Sequence, residues 1–205
     1  MSAMPSFEFC AFEFLRQWLD TEQALHVAFS TSPTEDKLRE ALAYFQVART
    51  FTGLSSPGKV HLVLQSLIDV CGDSSVSTPY EKVDRLANMF RQAFGKFNVS
   101  AASKLLWLTY RDPFIIYDTR AVTALSRQVG HALSNYSDYC EAWRKEYERS
   151  EDSIRTASQQ LPKGRLFMRS CPLTDSELLE MAQKTWFTER VFDVFLWDAG
   201  IKSAT

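Results

Sequence analysis

Residues 98–125 read NVSAASKLLWLTYRDPFIIYDTRAVTAL, and the succession of helix and breaker in this stretch decides the fold class. Ser100 is a good N-cap for a helix over 101–110, and Asp112-Pro113 stops that helix, because the residue before a proline is pushed out of helical geometry. Phe114, Ile115, Ile116 and Tyr117 form an apolar, β-prone run too short for a helix. Asp118 then stands at the N-cap of another helix, from Thr119 to about His131. Lys104 falls in the first turn of its own helix, where the partial positive charge of the terminus disfavours an ammonium. The same surroundings suit a nucleophile, since a positive, partly desolvated environment favours the neutral amine. Asp118 offers a carboxylate on a rigid helix end, a post for a base or for stabilising a developing cation. Without chemistry, Lys104 reads as a surface lysine at a helix start and Asp118 as a cap worth about 1 kcal/mol.

Working outward, the chain is helical almost throughout. Phe7, Ala11, Phe14, Leu15, Trp18, Leu19, Leu25 and Phe29 recur at helical spacing, with Glu8, Arg16, Gln17 and Glu22 opposite, so one helix is expected over 7–29. Thr34 caps the next, over 37–52, and GLSSPG at 53–58 is a turn. Residues 59–70 form a short apolar helix, ended by Gly72. Thr78-Pro79 opens a helix that Gly95 stops, and it should form a tight hairpin with the helix carrying Lys104, whose side chain should open into a cleft. Residues 136–158 make a long charged helix, and Leu161–Pro172 reads as an ordered loop or short extended piece. Thr174 and Glu177 form a capping box for 175–184, and the terminal helix runs from Trp186 to Gly200, which ends it. The fold class is all-α, a single domain over 1–205. The polar linker at 72–79 could divide it into two lobes, one of residues 1–72 plus the C-terminal helices and one of residues 79–160.

Composition closes several doors. Lys and Arg number 23 against 25 Asp and Glu, a net charge of -2, so any polyanion must be gripped by a local basic face. Gly and Pro number only 7 each, too few for a loop-rich β-sandwich. No apolar run approaches the roughly 18–20 residues a bilayer needs. Met1–Asp20 carries Glu8, Glu13 and Arg16, unlike a signal peptide, so a cytoplasmic protein with no membrane partner is expected. Cys10, Cys71, Cys140 and Cys171 are scattered, and His26, His61 and His131 stand alone, so neither a metal nor another cofactor is expected. The chain has no GxxxxGK[ST], GxGxxG or GxSxG.

Ser103-Lys104, the apolar helix after them, Pro113, and Ile116-Tyr117-Asp118 together resemble the helix-hairpin-helix DNA glycosylases, in particular the branch with an 8-oxoguanine glycosylase fold. Arg190, Asp193, Phe195, Leu196 and Trp197 resemble the closing helix of such proteins, with the arginine and aspartate in structural contacts. The specific likeness covers about a third of the chain. It implies two helical lobes flanking a cleft, with Lys104 attacking the anomeric carbon to form a Schiff base and Asp118 assisting base departure. It further implies Ser100, Ser103, Arg120, Lys163 and Arg165 at DNA. Ala102 and Ser100 stand where the family's hairpin has glycines, leaving Ser100 to offer a hydroxyl and amides to phosphate. The implied partner is double-stranded DNA holding a damaged or modified base, an oxidised purine by analogy, acted on by a monomer. Excision of a hypermodified phage base in host defence fits equally. The competing reading is a catalytically silent helical module that binds DNA or a protein. On the residues alone, Arg120 and the Lys163, Arg165, Arg169 group could equally be solvated, and Trp107, Trp186, Phe187 and Trp197 read as core.

Overall fold

The computed structural model describes residues 5–76, 78–165, 168 and 171–201, which are mostly helical with no strand among them. In chain order the helices are α1 (Phe7–Gln17), α2 (Gln23–Thr31), α3 (Glu35–Tyr44), α4 (Lys59–Gly72), α5 (Pro79–Phe94), α6 (Val99–Tyr110), α7 (Thr119–Val129), α8 (Tyr136–Ser158), α9 (Leu161–Gly164), α10 (Asp175–Gln183) and α11 (Thr185–Ile201). No described helix is long and apolar enough to cross a membrane.

Local chemistry accounts for most of the boundaries. The Thr34 hydroxyl accepts from the Lys37 N–H, and reciprocal capping boxes join Thr78 to Glu81 and Thr174 to Glu177. Gly95 ends α5 at φ 78°, a left-handed geometry that a side chain would resist. The expected single helix over 7–29 is broken by a π-helical turn at Trp18–Glu22. Glu22, expected on the polar face of that helix, closes this turn and is fully buried, accepting a hydrogen bond from the Tyr44 hydroxyl at 2.9 Å. The helix expected over 37–52 ends at Tyr44, and Leu161–Gly164 is a short helix where a loop or extended piece was expected.

The contacts divide the chain into two units, residues 1–21 with 118–205 and residues 22–117. The linker at 72–79 thus lies inside the second unit, between α4 and α5. In the first unit α11 packs on α7, α1 and α8 around Phe14, Tyr139, Trp143, Phe187 and Phe192, all fully or almost fully buried. Charge is buried here too. Trp143 Nε1 donates to Asp193 Oδ1 at 2.9 Å, Arg190 Nη1 lies 3.5 Å from Asp193 Oδ2, and the Arg190 guanidinium sits 5.2 Å from the Phe14 ring centre. Arg190 and Asp193 therefore make the structural contacts expected of them.

Gly200 lies in the last turn of α11, one residue before the end of the helix at Ile201. Its Cα faces the start of α7 so closely that a methyl group there would overlap the Arg120 carbonyl. Gly200→Ala is expected to cost about 1–3 kcal/mol, the range for overpacking a tight contact. Urea unfolding measures it, and a loss below about 0.5 kcal/mol would contradict the close approach.

In the second unit α6 packs on α5 and α2, and α4 on α3 and α5. His26 Nδ1 donates to the Leu108 carbonyl at 2.8 Å, tying α2 to α6. Burial outweighs that bond and holds the imidazole below its ordinary pKa, with the Arg111 charge adding to the effect.

Candidate active site

Helix α6 starts earlier than Ser100 would place it, and its cap is Asn98. Asn98 Oδ1 accepts the Ala101 N–H at 3.1 Å, and its Nδ2 donates to Thr50 Oγ1. Asn98 is buried, so its amide satisfies two interior partners that a cap at Ser100 would leave open. Ser100 therefore sits inside the first turn and Lys104 one turn further on. Asn98→Ala is expected to cost about 1–3 kcal/mol through the lost cap and the lost interior bond. Thermal unfolding checks this, and a loss below about 0.5 kcal/mol would contradict Asn98 as the cap.

Residues 101–108 of α6 are buried without exception, as expected of a helix apolar on nearly every face. Lys104 shares that burial. At 4% exposure it lies in the interior, where an opening into a cleft was expected. Its Nζ donates to Ser100 Oγ at 2.9 Å and stands 5.9 Å from the Phe45 ring centre, within reach of a cation–π attraction. Tyr44, the neighbour of Phe45 and in edge contact with it at 4.9 Å, donates to buried Glu22. Glu22 carried no sign in the sequence, where the apolar spacing places it on the polar face.

Ser103 is fully buried with its hydroxyl engaged inside the protein. Its Oγ donates to the Ser100 carbonyl at 3.3 Å and accepts the Tyr117 N–H at 2.9 Å. The backbone of the residue preceding Asp118 is thereby held to α6. Asp118 is half-buried and caps α7, its Oδ1 accepting the Arg120 N–H at 3.0 Å. Burial, and after it the Asp193 carboxylate, holds the enclosed Tyr139 phenol well above the usual range, with Asp118 adding the least. Arg120 is exposed, its guanidinium 4.6 Å over the Trp197 ring. Trp197 is 41% exposed, and so is not the core residue its type suggested, whereas Trp107 and Phe187 are core and Trp186 is half-buried.

Lys163 is exposed, and Arg165 pairs with Asp175 at 3.0 Å. Arg169 lies outside the described residues. The candidates therefore fall into three groups: Ser100, Ser103 and Lys104 on α6, Asp118 and Arg120 at the start of α7, and Lys163 with Arg165 at the end of α9. An open groove of about 390 Å³ on α1 and α8, lined by Glu8, Asp152, Ser153, Thr156, Ala157 and Gln160, contains none of them. Burial pushes the Cys140 thiol up to about 12, which removes it as a thiolate nucleophile. No group of three or more His, Cys, Asp or Glu side chains among the described residues is arranged to hold a metal ion. No family model, curated protein or solved structure compared with the chain matches it.

Proposed function

We propose that the chain is a DNA N-glycosylase with a helix-hairpin-helix fold, acting on double-stranded DNA that holds a damaged or modified base. The observation that carries the reading is the placement of Lys104 on the helix that packs on α5, with Ser103 of that same helix holding the backbone of the residue before Asp118. In the reaction the flipped nucleotide presents its anomeric carbon to Lys104 Nζ. The C–N bond to the base breaks as the N–C bond to lysine forms. The base departs with a proton, and the ring opens to an imine that water hydrolyses or β-elimination consumes. The Asp118 carboxylate stabilises the cationic sugar as the base leaves. Beside the enclosed Lys104, residues 79–112 carry Lys82, Arg91, Lys96 and Arg111, with Arg85 paired to Asp73, against Glu81, Asp84 and Asp112, so contact with a polyanion rests on these few side chains.

A panel of duplexes, each holding one lesion and scored for base release, tests the reading. Release from at least one lesion is expected. Binding should weaken steeply with salt, by roughly forty-fold between about 50 and about 200 mM if about three phosphates are neutralised. Absence of binding at low salt on every duplex would end the proposal. A second reading, a helical module that binds DNA or protein without chemistry, draws on the near-complete burial of Lys104. Binding without release from any lesion is its signature.

A further inference from the structure

We infer that Ser100 is a positioning residue for the Lys104 amine and the route by which its proton leaves, a role different from the phosphate contact suggested by its place in the hairpin. The inference rests on the reading of Lys104 as the nucleophile. Two observations carry it. Ser100 Oγ accepts from Lys104 Nζ at 2.9 Å across one helical turn, the separation at which helix side chains face each other. The cap of α6 is Asn98, so the Ser100 hydroxyl is not occupied in starting the helix.

Exposure gives the direction of transfer. Lys104 is 4% exposed, whereas Ser100 in the first turn is only half-buried, so the hydroxyl lies on the solvent side of an enclosed ammonium. The ammonium passes one proton to Ser100 Oγ as the hydroxyl passes its own to water. Nζ is left with the lone pair that attacks the sugar carbon. No oxidant or metal enters the balance. The bond also fixes the lysine rotamer, so the amine is aimed before the substrate arrives.

The test uses the whole protein and a duplex with a single abasic site, whose aldehyde reports imine formation without requiring the right lesion. Borohydride trapping is followed in single turnover for wild type, Ser100→Ala and Ser100→Thr. Ser100→Ala should slow trapping at saturating duplex by about ten- to a hundredfold, at the low end of general acid–base contributions, with the half-saturating duplex concentration unchanged. Ser100→Thr keeps a hydroxyl and should restore most of the rate. If Ser100→Ala instead raises the half-saturating concentration and flattens the salt dependence at an unchanged maximal rate, Ser100 is a phosphate contact and the inference is overturned while the lysine's role stands. Equal rates for wild type and Ser100→Ala also overturn it. If wild type forms no adduct, the inference falls together with the reading beneath it.

Discussion

Lys104→Gln is expected to abolish the borohydride-trapped adduct and to slow base release by at least about 10²-fold. Glutamine retains an amide donor that can reach toward Ser100 Oγ, but its nitrogen lone pair is delocalised and does not attack carbon. The substitution also replaces an enclosed cation by a neutral group, which lowers the cost of burial. The melting temperature should therefore fall by no more than a few degrees, and loss of the adduct cannot be assigned to unfolding. Single-turnover base release and gel analysis of the adduct provide the measurement. Trapping at the wild-type level would remove Lys104 from the chemistry.

The second large effect belongs to Asp118→Asn. Asparagine keeps an oxygen to accept the Arg120 N–H now held at 3.0 Å, and it caps helices about as well as aspartate. What it lacks is the negative charge. Base release should fall by about 10²–10⁴-fold, with stability within about 1 kcal/mol of wild type. Calorimetry beside the kinetics separates the two roles. A large loss of stability at intact activity would make Asp118 a structural cap alone, and full activity and stability together would remove the carboxylate from the account.

The sequence made legible whatever is decided locally. Thr34, Thr78, Asp118 and Thr174 cap the helices they were expected to cap, because a hydroxyl or carboxylate before an amphipathic run acts within one turn. The features it hid are decided by tertiary neighbours. Asn98 outcompetes Ser100 as the cap because Thr50, far away in the chain, takes its amide. Glu22 is buried at the end of a π turn, and apolar periodicity does not mark such a turn. Gly200 reads as a helix stop, but the close approach of the Arg120 backbone, which excludes a side chain there, has no mark in the sequence. Trp197 resembles core, yet it stands half in solvent beneath a guanidinium. In the candidate site, Lys104 and Asp118 could be picked out by residue type and position. The burial of the lysine and its bond to Ser100 could not, since both depend on the packing of α6.

The most direct measurement is peptide mapping of the adduct that wild-type protein forms with an abasic-site duplex under borohydride. The account predicts one modified peptide, with the sugar carbon bonded to Lys104 Nζ. An adduct on any other amine, or no adduct at all under conditions where the duplex is bound, would contradict it.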